Sequence, residues 1–187
     1  GRRIIEEGAQ KVNFAIVAAG ENASSPHHHP GDRVIKKNEI VLTDFGGTMN
    51  GYCSDTTRCV FTGEIAPDVA DAYEVLFEAQ AAGVAAATVG TPCQDVDRAC
   101  RKVIDDAGYG EYFIHRTGHG IGLEAHEDPY IVEGNALPLA HGHAFSVEPG
   151  IYIPGKWGMR LEDIAAATND GPVSYNNSDH HLISVDA

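Results

Sequence analysis

A chain of 187 residues with 43% hydrophobic and 21% charged content reads as one globular domain rather than a fibrous or disordered one. Its formal net charge of -14 argues against a nucleic-acid partner, which would meet a basic face, and no apolar run approaches the ~20 residues that cross a bilayer. The four cysteines (Cys53, Cys59, Cys93 and Cys100) form no CxxC pair, which excludes a zinc ribbon or thioredoxin-type motif and leaves them as reduced, buried apolar side chains.

In chain order, residues 2–11 read as the tail of a helix and Phe14–Ala18 as a short apolar strand. Polar turn residues then lead to Pro26-His27-His28-His29-Pro30. Glu39–Phe45 reads as a strand, Thr48–Gly51 as a turn and Tyr52–Phe61 as the returning strand. A first helix starts near Pro67 with Asp68 as N-cap and carries Val69, Ala72, Tyr73, Leu76 and Phe77 at helical spacing. A second has Thr91 as N-cap and Pro92 at its first position, an apolar face of Val96, Ala99, Cys100, Val103, Ile104 and Ala107, and Gly108 as its stop. Strands follow at Phe113–Thr117, Ala144–Tyr152 and Met159–Thr168, so helices lie between sets of hairpin-joined strands, an α+β arrangement.

The chemistry concentrates in the hairpins. A hairpin centred between Met49 and Asn50 places Asp44 directly opposite Asp55, and one centred on Gly155 places Glu148 opposite Glu162. Carboxylates held that close repel, so each pair calls for a cation, a shared proton or solvent. His119, between Gly118 and Gly120, is a fifth candidate ligand beside which backbone can approach closely. Four carboxylates and one imidazole form a hard, oxygen-rich set suited to two Mn, Co, Zn or Fe ions. Each residue alone also has an ordinary reading: a buried strand Asp is commonly hydrogen-bonded structure, and a His beside glycines commonly a loop residue.

Asp44-Phe45-Gly46 with Gly51-Tyr52-Cys53-Ser54-Asp55-Thr56-Thr57-Arg58 resembles the first signature of the pita-bread metallopeptidases, which include prolidase, aminopeptidase P and methionine aminopeptidase. His115-Arg116-Thr117-Gly118-His119-Gly120-Ile121-Gly122 with His126-Glu127-Asp128-Pro129, Ser146–Tyr152 and Arg160–Asp163 are similar to the later ones. The resemblance runs from about Phe14 to Ile183. It implies a pita-bread fold, an internally duplicated antiparallel sheet with helices on its outer face. It also implies that Asp44 binds one metal, His119 and Glu148 the other, and that Asp55 and Glu162 bridge both. Glu148 would also shuttle the proton of the nucleophilic water, while His115 and His126 hold the scissile carbonyl. His27 matches a substrate-side histidine, and Arg160 the arginine beside the last ligand in the proline-specific branch. His28 and His29 inherit no role and read as solvated turn residues.

The motif contexts favour the prolidase and aminopeptidase P branch: a cytoplasmic, manganese-dependent hydrolase of Xaa-Pro bonds in peptides, homodimeric at full length. Members of this branch carry a separate N-terminal domain and a fuller helical start, so residues 1–187 read as the catalytic domain without them. Two rivals share the scaffold. One is an enzyme acting on N-terminal Met or on a non-peptide amide such as creatine. The other is a non-catalytic peptide-binding module, which retention of all five candidate ligands weighs against.

Overall fold

The computed structural model describes residues 1–186. A short helix, α1 (Arg2–Glu6), precedes β1 (Lys11–Ala19), which starts three residues earlier than Phe14. Next come β2 (Ile40–Met49), β3 (Tyr52–Cys53) and β4 (Thr56–Thr62). The β2–β3 turn is Asn50-Gly51, with φ of 52° and 86°, the two left-handed residues that a two-residue I′ hairpin requires. Its centre therefore lies one residue beyond the expected one. Met49 faces Tyr52, and Asp44 faces Thr57 rather than Asp55. Shifting a hairpin centre by one residue moves the partner by two, so Asp55 becomes the diagonal neighbour and stays on the same face.

Two helices follow, α2 (Pro67–Ala86) and α3 (Cys93–Asp106). Both starts differ slightly from expectation. Ala66 takes the N-cap position of α2, leaving Asp68 in the first turn where its charge still suits the helix dipole. Pro92 takes that of α3, while Thr91 Oγ1 lies 2.8 Å from Thr88 Oγ1. Gly108, at φ 82°, terminates α3 as expected. Val69, Ala72, Tyr73 and Leu76 of α2 join Val96, Cys100 and Ile104 of α3 in the core. Gly83 permits that approach: a Cβ there would sit 2.3 Å from Cys100 Sγ and 2.8 Å from Val147 Cγ1.

The remaining strands are β5 (Gly118–Gly120), β6 (Glu127–Ile131), β7 (Ala144–Val147), β8 (Gly150–Ile153), β9 (Trp157–Arg160), β10 (Asp163–Thr168), β11 (Gly171–Ser174) and β12 (Ile183–Val185). One five-stranded sheet has the order β1-β2-β4-β12 with β3 on β2, and the other has β11-β10-β7-β5-β6. An isolated Thr57–Glu162 bridge joins them. The expected strand at Phe113–Thr117 is absent because α3 side chains satisfy that backbone instead. Arg101 donates to the carbonyls of Phe113 and His115, and Asp97 Oδ1 accepts the Thr117 amide at 2.9 Å.

The two long strands around Gly155 keep the expected register, with Val147 facing Asp163 and Gly150 facing Arg160. Each is interrupted, however, so β8–β9 forms a separate two-stranded sheet. Pro149 has no N–H for a ladder, and the Glu148 amide turns to the Thr117 carbonyl at 2.8 Å. Glu148 and Glu162 thus occupy matching gaps in facing strands.

Candidate metal centre and substrate cleft

Three of the five candidate ligands sit where strands are interrupted. Asp55 lies in the gap between β3 and β4, Glu148 between β7 and β8, and Glu162 between β9 and β10. His119 is carried on β5, where a Cβ at Gly118 would meet the Ser146 carbonyl oxygen at 1.8 Å and one at Gly120 the Asp128 carbonyl oxygen at 2.4 Å. Only glycines let the neighbouring backbones close in on this histidine. Asp44, Asp55, His119 and Glu162 are all buried, at 7%, 4%, 2% and 1% exposure. One ligand atom each from Asp55, His119 and Glu162 lies within 4.8 Å of the others.

The donor chemistry fits a cation. His119 Nδ1 meets the Gly120 carbonyl at 3.1 Å, which makes Nδ1 the donor and turns Nε2 toward Glu148 Oε1 at 3.2 Å and Asp55 Oδ2 at 3.8 Å. A lone pair facing carboxylate oxygens needs a proton or a metal between them. Asp44 Oδ1, Asp55 Oδ1 and Glu162 Oε1 are buried with no hydrogen-bond partner among the described residues. Three orphaned carboxylate oxygens, two of them on residues grouped with His119, are a cost to the fold unless a cation is bound.

Three further side chains, which lie in the signature stretches but receive no role from sequence, order this set. Thr57 Oγ1 donates to Glu162 Oε2 at 2.6 Å and accepts from Arg160 Nε at 3.1 Å. Ser146 Oγ accepts the His119 amide at 3.0 Å and donates to Glu148 Oε1 at 2.8 Å. Tyr152 OH accepts from Arg160 Nη1 at 2.8 Å and lies 2.9 Å from His115 Nε2. Placing the first turn at Asn50-Gly51, itself a hairpin signal, would have put Thr57 opposite Asp44. Ser146 and Tyr152 bound a signature stretch, but their spacing alone assigns them no role.

Electrostatics separates the carboxylates. Burial pushes Asp55 up to about 8, with Asp44 and Glu148 adding repulsion. Burial also raises Asp44 and drives Glu162 well above the usual carboxylate range. Glu148 goes the other way: burial opposes its charge, but the His119 hydrogen bond and the Arg160 charge hold it at about 2. His115 and His126 are both lowered, chiefly by burial.

A stability prediction follows for the metal-free protein. A carboxylate whose pKa is higher folded than unfolded stabilises the fold at low pH and loses that contribution as pH rises to its folded value. The lowered histidines act in the opposite sense, but only below their unfolded value near 6.5. Between pH 6.5 and about 8 the Asp55 effect therefore stands alone with that of its raised neighbours, and Tm should fall. Divalent cation should abolish the slope by displacing the protons. Thermal melts across this window check it, and a rising Tm in the metal-free protein would refute it.

Above the buried set lies a cleft of about 580 Å³ lined by Pro26, His27, His115, Arg116, His126, Tyr130, Val132, Glu148 and Arg160. All five residues expected to act on substrate thus share one cavity. His28 is half-buried rather than fully solvated, while His29 is exposed. Neither is among the lining residues. His115 has both ring nitrogens engaged, Nδ1 by the Arg116 carbonyl at 2.7 Å and Nε2 by Tyr152. His27 and His126 make no side-chain hydrogen bond among the described residues, and the His126 ring lies 4.0 Å from that of His119, tilted by 47°. Arg116, missed as a site residue, sits 5.0 Å over the Tyr130 ring with its Nε unpartnered.

Residues 1–169 match the family model described as Metallopeptidase family M24. Among curated relatives, the chain is 51% identical over 183 residues to "Probable dipeptidase PepE" of Mycobacterium tuberculosis, covering 97% of this chain and 49% of that protein. It is 45% identical over 184 residues to the "Xaa-Pro dipeptidase" of Lactobacillus delbrueckii subsp. lactis, covering 97% and 50%. The chain thus spans about half the length of the curated relatives it matches. Its structure superposes on a recombinant prolidase from Thermococcus sibiricus with a TM-score of 0.95 at 45% identity, covering 97% of this chain and 50% of the other. With two mainly antiparallel sheets meeting over a buried cluster of carboxylates and a histidine, and helices packed against the strands, the fold is the pita-bread fold, and the chain belongs to metallopeptidase family M24.

Proposed function

We propose that this chain is the catalytic part of a metal-dependent peptidase that hydrolyses Xaa-Pro bonds, with two divalent ions, manganese foremost, as cofactors. The observation that carries it is the buried grouping of Asp55, His119 and Glu162 with unpartnered carboxylate oxygens, beside Glu148 at the histidine-lined cleft. In this reading Asp44 would hold one ion, His119 and Glu148 the other, and Asp55 and Glu162 would serve both. Bound divalent ions supply Lewis acidity and lower the pKa of water, the chemistry of two-metal hydrolases. The chain's own groups do the rest. Glu148, its side chain 15% exposed at the cleft floor, takes the proton of the attacking water and returns it to the leaving amine. His126 and His27 have free ring nitrogens to bind the substrate backbone. His115, neutral and locked by Tyr152, orients that wall of the cleft. Similarity to an Xaa-Pro dipeptidase and a prolidase supports proline-adjacent specificity, as do the motif contexts around His27 and Glu148.

Arg116 extends the reading to the substrate's far end, where its unpaired guanidinium would bind a free carboxylate. Hydrogen bonds to a charged group contribute about 1.5–3 kcal/mol, so Arg116→Met should raise KM for an Xaa-Pro dipeptide about 10–150-fold with kcat little changed. A variant that lowers kcat alone would remove Arg116 from substrate binding.

The direct test is hydrolysis by the full-length protein with Mn²⁺ of an Xaa-Pro dipeptide, an Xaa-Pro-Xaa tripeptide and a Met-Ala-Xaa tripeptide. Cleavage of either proline peptide bears the proposal out and separates dipeptidase from aminopeptidase. Cleavage of the Met peptide alone would overturn the proline assignment.

A further inference from the structure

The segment from Ser174 to His181 lies beyond the residues matched by the family model and crosses the back of the metal centre. Asn176 Nδ2 donates to the Asp55 carbonyl at 2.9 Å and also to Thr56 Oγ1, while its Oδ1 accepts the Ile164 amide at 2.8 Å. The carbonyls of Ser178 and Asp179 accept from Arg58 at 3.3 and 3.0 Å. The same guanidinium donates to the carbonyls of Thr57 and Glu162 at 2.9 and 2.7 Å and to buried Asp163 at 2.7 Å. Farther along, His180 Nε2 lies 2.7 Å from Asp163 Oδ2, and Tyr73 OH donates to the His180 carbonyl at 2.7 Å.

Asp55 and Glu162 come from different sheets and sit in gaps where regular ladders lapse. Side chains therefore take over the positioning of their backbones: that of Asp55 is tied to the strap directly by Asn176, and that of Glu162 through Arg58. Of the tethers, Arg58 also neutralises a buried carboxylate, so its loss would damage the fold at large. Asn176 is a neutral, half-buried amide whose side chain bonds only Asp55, Thr56 and Ile164 among the described residues.

We propose that Asn176 is a positioning residue that holds the Asp55 carboxylate at its working distance from Glu162, and thereby sets the affinity of the site for divalent cations. The inference rests on the metal reading above. Partners that orient metal ligands typically carry about 10–100-fold in metal affinity.

The test is calorimetric titration of the intact protein with Mn²⁺, comparing wild type with Asn176→Asp, Asn176→Ala and Tyr73→Phe. Asn176→Asp keeps an acceptor for the Ile164 amide but cannot donate to Asp55. Its added negative charge would by itself favour a cation, so a loss isolates the geometry. Both Asn176 variants should bind Mn²⁺ about 10–100-fold more weakly. Tyr73→Phe, which loosens the strap at His180 without touching Asp55, should keep wild-type affinity. If Asn176→Ala fails to fold, Asn176→Asp decides. Unchanged affinity in folded Asn176→Asp, or an equal loss in Tyr73→Phe, overturns the inference while leaving the metal site intact. A wild-type protein that binds no Mn²⁺ overturns the metal reading and this inference together.

Discussion

Glu162→Ala should reduce turnover at least about 10³-fold, equivalent to about 4 kcal/mol of lost transition-state stabilisation, and should weaken every bound divalent ion. The expectation follows from position. Glu162 is 1% exposed, bonded through one oxygen to Thr57, and left with the other free beside Asp55 and His119. Alanine removes the shared ligand and leaves Thr57 Oγ1 without its acceptor. Metal content by elemental analysis, measured beside kcat, separates loss of the centre from general damage. Retention of full activity would remove Glu162 from the ligand set and, with it, the assignment of a shared carboxylate.

Arg160→Met should have the largest effect on stability. Arg160 is 3% exposed and its guanidinium serves three side chains at once, Asp44 Oδ2 at 2.5 Å, Tyr152 OH at 2.8 Å and Thr57 Oγ1 at 3.1 Å, besides the Pro26 carbonyl at 3.4 Å. Removing one member of a buried ion pair costs about 3–5 kcal/mol, because the other charge is stranded. For a domain of this size that is a Tm lower by roughly 6–20 °C. The loss should be smaller at pH 5 than at pH 8, since Asp44, already raised by burial, can take up a proton once its counter-ion has gone. Thermal melts of the metal-free variant at both pH values check this. A shift below about 1 kcal/mol would show that Arg160 is not the counter-ion of Asp44. Arg160→Lys should rescue little, because a single ammonium cannot present the same planar fork to three partners.

How much of this was legible in the chain differs by element. The Glu148–Glu162 register followed from symmetry about Pro154-Gly155-Lys156, and the ladder keeps it. The Asp44–Asp55 pairing was off by one turn position because Asn50-Gly51 demands φ > 0 at both residues, which fixes the centre between them. The error was harmless to the site, since a two-residue shift of partner preserves the face. The expected strand at Phe113–Thr117 failed for a different reason. Its apolar pattern was compatible with a strand, but Asp97 and Arg101, twenty and fourteen residues upstream of Thr117 and His115, supply its hydrogen bonds from a helix.

Taken by itself, the sequence determined the α+β class, both long helices, the ordered signatures and the residues now gathered at one centre, because those depend on residue type and short-range spacing. The tertiary structure alone decided which atoms meet. The Thr57–Glu162 bridge joins residues 105 positions apart, and Arg160 reaches Asp44 across 116. The Asn176 strap, in turn, reaches Asp55 from 121 residues away. Such contacts leave no trace in local periodicity, since they are set by how two sheets pack against each other around carboxylates that neither sheet could bury alone.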